Sequence, residues 1–241
     1  MLKAAERLPD RMIRGLIFDF DGLILDTEVP DLQSWQEVYR AHGCDFPEAL
    51  WAGNIGTASE PFDAYGYLEA QLGRPVDHDA IRAERRRRFA ELVEAQPVLP
   101  GVEAYVADAR QLGLKLGVAS SSSRKWVTGH LERLGLAVYF DCVKSADDVT
   151  RAKPDPELYH AALGAMDIRG SQVVALEDSP NGVTAAKRAG LFCVAVPNAV
   201  TRRLDFDGAD LRLNSLADVP LGTLLSEVEA LRGRRRLDVS I

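Results

Sequence analysis

Cysteine is nearly missing from this chain: Cys44, Cys142 and Cys193 stand far apart among 241 residues. With no C-x-x-C pair and no ligand spacing, they speak against a disulfide scaffold or a thiolate metal site. They read as reduced thiols of a cytoplasmic protein. Histidine is almost as scarce, and His42, His78, His130 and His160 show neither metal spacing nor a nucleophile partner. No apolar run approaches a membrane span, and the opening stretch MLKAAERLPDRMIRG lacks the apolar region of a secretory signal. No membrane association is expected. Positive charge is in deficit, with 29 Lys and Arg against 36 Asp and Glu. A net charge of −7 argues against nucleic acid as a partner but leaves room for a small anion in a local positive site. Nothing in the sequence specifies an oligomeric state.

What is present describes a globular protein, 46% hydrophobic and 27% charged, long enough for a core and a smaller appendage. Short β-rich runs recur: GLIF before Asp19, LKLGVAS into a serine cluster, VVAL before Glu177 and FCVAV before Pro197. Amphipathic segments at Val102–Leu112, Lys125–Leu134 and Glu157–Leu163 separate them. Apolar strands alternating with helices predict an α/β fold, with a parallel sheet covered on both faces.

Residues 30–96 break this rhythm. They carry helical periodicity and no convincing strand, with Pro30 at one end and Pro97 and Pro100 at the other. This predicts an α-helical insertion joined by two linkers to a core made of residues 1–29 and 97–241. The basic stretch from Leu231 to Ile241 reads as a frayed tail.

Ligands of open parallel sheets bind at the carboxyl ends of the strands. Those ends deliver Asp19 and Asp21, Ser120 and Ser121, and the pair Glu177–Asp178, while the rigid TRAKPDPELY loop adds Lys153. Asp19 and Asp21 are two apart, so an extended backbone aims both to one side, and Gly22 lets the chain turn after them. Ser122 or Ser123 is placed to cap the next helix, directing its positive end at the serine loop. Pro154 biases Lys153 toward an extended conformation, and Asp155 followed by Pro156 starts a helix. Ser179, Pro180 and Gly190 punctuate a further one. Each feature alone is weak, but their convergence predicts one anion-binding, carboxylate-rich site.

Together DFDGLILDTE, VASSSS, KPDPELY and LEDSPNG resemble the four motifs of the haloacid dehalogenase-like hydrolase superfamily. The place and helical character of residues 30–96 resemble the cap of its β-phosphoglucomutase-like and small-molecule phosphatase subgroup. The resemblance implies a Rossmann-like three-layer core with the active site between core and cap. It implies Asp19 as nucleophile, forming an aspartyl-phosphate, and Asp21 as general acid and base. Mg²⁺ would bind the Asp19 carboxylate, the Asp21 backbone carbonyl and Asp178, with Glu177 ligating directly or through water. Ser120 and the Ser121 amide would hold the phosphoryl group, and Lys153 would tie it to Asp19. Dehalogenases of the superfamily lack an acid at the Asp21 position, so the resemblance favours phosphoryl transfer.

The expected function is therefore a Mg²⁺-dependent phosphatase of a small phosphorylated metabolite such as a sugar phosphate. A β-phosphoglucomutase-like isomerase is the alternative, and a non-catalytic metabolite-binding protein a remote one. The uncharged loop from Gly53 to Ser59, with Asn54 and Gly56 as substrate contacts, suits a phosphatase better than a mutase, which needs a second phosphate site. Arg85–Arg88 reads as a solvated helix face. Trp126, Val127, Leu131 and Leu134 read as a core stripe.

Overall fold

The computed structural model describes residues 13–52 and 62–238. Among these residues six parallel strands form one sheet: β1 (Gly15–Phe18), β2 (Lys115–Ala119), β3 (Cys142–Lys144), β4 (Val173–Glu177), β5 (Phe192–Ala195) and β6 (Leu211–Arg212), in the order β3-β2-β1-β4-β5-β6. The chain winds outward one way from β1 and then the other, so the sheet has its topological switch point beside β1. Phe18 pairs with Val118 on one side and Leu176 on the other. The next residue, Asp19, therefore emerges between the ends of β2 and β4.

Alternation along β1 sorts the core into two layers. Leu16 and Phe18 pack with helices α5 (Val102–Gln111), α6 (Arg124–Arg133) and α9 (Leu221–Asp238); Ile17 faces α7 (Glu157–Met166) and α8 (Pro180–Arg188). The expected three-layer α/β architecture is the one observed. Of the core helices, α5, α6, α7 and α8 fall where the sequence places them; α9 is not foreseen. β3 and β6 have no such signal: they are three and two residues long, sit at the sheet edges and stay partly exposed, so they carry no apolar run.

Among the described residues, four helices occupy the stretch that breaks the α/β rhythm: α1 (Glu28–Ala41), α2 (Glu48–Ala52), α3 (Ala64–Leu72) and α4 (His78–Glu94). Trp35, Val38 and Tyr39 of α1, Ala64 and Leu68 of α3 and Ile81 of α4 form an apolar cluster separate from the two layers at the sheet. Pro30 is not a linker residue. It is buried in the first turn of α1, where a missing N–H costs nothing, and the Asp26 carboxylate accepts from the Val29 amide at 3.0 Å. The segments entering and leaving these helices lie side by side, with Leu25 bridged to Val98 and the Leu99 amide donating to the Ile24 carbonyl at 2.9 Å.

The basic C-terminal segment also departs from expectation, since α9 continues through Asp238. Leu221, Leu224 and Val228 anchor the helix in the core, and Arg232 lies over the Phe192 ring at 5.4 Å while donating to the Val173 carbonyl at 3.2 Å. No helix among the described residues is long and apolar enough to cross a membrane.

Candidate active site

The strand ends meet as the sheet order requires. Asp19, Glu177 and Asp178 are all buried, and one carboxylate oxygen from each lies within 4.8 Å of the others. Lys153, reached from the loop before α7, donates to Asp19 Oδ1 and to Glu177 Oε1, both at 2.6 Å. Its peptide bond to Pro154 is cis and lies in a turn rather than an extended segment. Pro156 occupies the N-cap position of α7, while the Asp155 carboxylate accepts from the Glu157 amide at 3.1 Å.

Asp21 is held on both oxygens. Ser122 Oγ donates to Oδ2 at 2.7 Å and Ser120 Oγ at 3.2 Å, while Trp126 Nε1 donates to Oδ1 at 2.8 Å. Ser123 caps α6, accepting from the Trp126 amide, so the start of that helix faces the serine loop. Asp19, Asp21, Ser121, Lys153 and Asp178 line one cavity of about 660 Å³; Ser120 and Glu177 lie beneath its wall.

Several groups beyond those expected from the sequence complete the site. The Tyr159 hydroxyl donates to Glu177 Oε1, and its ring stands 5.4 Å from Lys153 Nζ. Asn198 Nδ2 donates to Asp178 Oδ2 at 2.8 Å; it stands just past the carboxyl end of β5, where the strand-end rule also points. Glu28 and Phe89 line the cavity, and so does Trp126, which packs partly buried against the core as its helical spacing predicts and also reaches the site. Val127 and Leu131 are fully buried in that core, whereas Trp126 lies at its edge, pairing with His130 one helical turn on. Asn54 and Gly56 lie outside the described residues. Of the arginine run, Arg85 pairs with Asp31 and Arg88 with Glu37, both on α1, and Arg87 pairs with Glu84 and Glu91. None of the four lines the cavity.

The electrostatics are those of too much negative charge in one place. Burial pushes Asp178 well above the carboxylate range, and Asp19, Glu28 and Glu177 push it further. Glu177 is driven by burial up to about 7, against the pull of Lys153. Burial likewise raises Asp21, with Asp19 adding to it and the bonds from Ser122, Trp126 and Ser120 opposing. Glu28 rises to about 8, from burial first and then from Asp31, Asp21, Asp26 and Asp19. Burial alone would discharge Lys153, but Asp19 and Glu177 outweigh it and the ammonium persists. Among the described residues lining the cavity, Lys153 is the one cation that faces this cluster of carboxylates.

That donor set fits a hard divalent cation. Asp19, Glu177 and Asp178 offer only oxygen, their charge is under-compensated, and Glu177 Oε2 is buried without a hydrogen-bond partner. Close backbone approach shapes the cluster. A Cβ on Gly22, whose φ is +77°, would lie 2.1 Å from Asp178 Oδ2, and one on Gly182 would lie 1.7 Å from Glu177 Oε2. Gly182→Ala is therefore expected to lower the unfolding midpoint. Gly129→Ala, in the middle of α6 with no atom beyond the helix's own backbone and chain neighbours within 4 Å of the new methyl, should stabilise by about 0.5–1 kcal/mol. Paired thermal melts check both signs.

Residues 16–196 match the family described as haloacid dehalogenase-like hydrolase. A Bacillus subtilis (strain 168) protein named "Putative phosphatase YhcW" is 47% identical over 219 residues, covering 91% of this chain and 99% of that one. "Phosphorylated carbohydrates phosphatase" of Thermotoga maritima is 30% identical over 74% of this chain and 82% of its own length. The crystal structure of CbbY from Rhodobacter sphaeroides in complex with phosphate superposes with a TM-score of 0.66 at 30% identity, covering 88% of this chain and 99% of that one. With its strand-end carboxylates, serine loop and lysine gathered at one switch point, the chain belongs to the haloacid dehalogenase-like hydrolase family.

Proposed function

We propose that this protein is a Mg²⁺-dependent cytoplasmic phosphatase that hydrolyses a small phosphorylated metabolite, a sugar phosphate in particular, through an aspartyl-phosphate on Asp19. The observation that carries the reading is the contact of Lys153 with Asp19 at 2.6 Å, beside an independently held acid, Asp21. Asp19, Glu177, Asp178 and the Asp21 backbone carbonyl would hold the cation. When bound it supplies charge neutralisation, both to the carboxylates and to the phosphoryl oxygens.

The chain's own groups carry the steps. The Asp19 carboxylate attacks phosphorus, an O–P bond forms, and the ester O–P bond breaks. Asp21 gives its proton to the departing oxygen. It then takes one from the water that attacks the aspartyl-phosphate, releasing inorganic phosphate and restoring both carboxyl groups. Lys153 holds the Asp19 carboxylate in place and faces the transferring charge, and Ser120 with the Ser121 amide receives the phosphoryl oxygens. Residues 30–96 act as a cap that selects the leaving group and excludes bulk water.

Phosphate release from a panel of phosphorylated metabolites tests this reading. Release is expected with Mg²⁺ and none in chelator, and full activity in chelator would overturn the metal assignment. Supplied with β-glucose 1-phosphate and a catalytic amount of its bisphosphate, the enzyme should yield free phosphate and no appreciable glucose 6-phosphate. Efficient isomerisation would establish a mutase instead.

A further inference from the structure

We propose that Trp126 is a positioning residue for Asp21, fixing the carboxylate through its indole N–H while Phe89 of α4 braces the ring. This rests on the phosphatase reading for its consequence but not for its geometry. Trp126 Nε1 lies 2.8 Å from Asp21 Oδ1. Its ring stacks on Phe89 with centroids 5.7 Å apart and planes 11° apart, and it meets His130 edge-on at 4.3 Å. His130 in turn stacks on Phe20, the residue between the two aspartates, at 6.4 Å. The indole is thus packed on two sides before it reaches the carboxylate.

The three donors to Asp21 are not equivalent. An indole N–H only donates, whereas a serine hydroxyl donates or accepts by rotating. Trp126 therefore holds Oδ1 as an acceptor throughout a turnover. The proton that Asp21 gives up and regains is directed to Oδ2, where Ser120 and Ser122 can turn their own protons away. Only light hydroxyl rotors move between the two halves of the reaction, and the carboxylate plane stays fixed. A proton donor held in that way keeps its alignment with the leaving oxygen, which is worth about tenfold or more in rate when lost.

Phe89 lies on a helix of the 30–96 segment and Trp126 on a core helix, and both line the cavity. The stack makes the acid's orientation depend on α4 being in place. Phe89→Leu, which keeps apolar bulk but loses the stacked face, should produce a smaller effect in the same direction as Trp126→Phe.

The test uses leaving groups that differ in their need for a proton, with the full chain and Mg²⁺. A nitrophenolate leaves unaided, while the alkoxide of glycerol 2-phosphate must be protonated. Trp126→Phe keeps an aromatic ring beside Phe89 and His130 but removes the N–H with one ring of the indole, so the difference between the two esters reports the lost hydrogen bond. It is expected to lower kcat/KM for glycerol 2-phosphate by about tenfold or more, and several-fold less for p-nitrophenyl phosphate. Equal losses on the two esters indicate a merely structural role, and no loss on either indicates none; both overturn the proposal. A wild-type protein that releases phosphate from no ester overturns the phosphatase reading instead. The contact itself is then read by NMR. The chain has three tryptophans, so three indole N–H resonances are expected. Trp126→Phe deletes one, and Asp21→Ala should move that one and leave the others in place. If it does not move, the contact is absent and the proposal fails.

Discussion

Asp19→Asn is expected to give a folded protein with no measurable turnover. Asparagine is nearly isosteric with aspartate but cannot form the O–P bond, and removal of a covalent nucleophile costs on the order of 10⁴-fold or more. The fold should survive because the substitution relieves an unfavourable crowd. Asp19 is among the groups that push Asp178, Glu177 and Asp21 upward, and Lys153 keeps Glu177 as a partner at 2.6 Å. The melting midpoint in chelator should therefore equal or exceed that of the wild type. A variant that keeps a substantial share of wild-type phosphate release would remove Asp19 from the chemistry, whatever its stability.

Lys153→Met should do the reverse, striking stability hardest where no metal is present. It leaves Asp19, Glu177 and Asp178 buried without the lysine that pairs two of them, and breaking a buried ion pair in this way costs about 3–5 kcal/mol. The loss has a defined pH dependence. Glu177 has a folded-state pKa of about 7 against an ordinary 4.5, so the folded state binds the extra proton. Its contribution is present below 4.5 and declines as pH rises toward 7. Without Lys153 the folded value climbs further, so the variant should approach wild-type stability in acid and diverge from it above neutrality. Urea titrations in chelator at several pH values check this, and a pH-independent deficit would mean that the lysine acts through packing alone.

How much of this is legible in the sequence depends on how local each signal is. β1, β2, β4 and β5 announce themselves as apolar runs, and the residues just beyond them are placed by chain order. Asp19, Asp21, Ser120, Ser121, Lys153, Glu177 and Asp178 are accordingly brought to one place. Asn198 obeys the same rule but stands after a proline, where no charge draws notice. Trp126 is hidden for another reason. Its neighbours Val127 and Leu131 belong to a true core stripe, and a residue one step off that stripe points at whatever flanks the helix, which only the tertiary structure supplies. Glu28 belongs to the first motif, yet its raised pKa comes first from burial and then from four other acids, and burial is supplied only by the fold. Pro30 misleads because proline is as much at home in a first helical turn as in a linker.

The bridge between Leu25 and Val98 has a consequence of its own. Because departure and return are neighbours, the sheet sees the intervening seventy-odd residues as a hairpin loop of negligible span, however long that loop becomes. Lengthening it costs little, since closure entropy grows only with the logarithm of loop length. The protein can thus be rewritten between those two residues while the strand ends beneath keep their register. The inserted stretch and the strand-end residues are free to diverge at different rates along one chain.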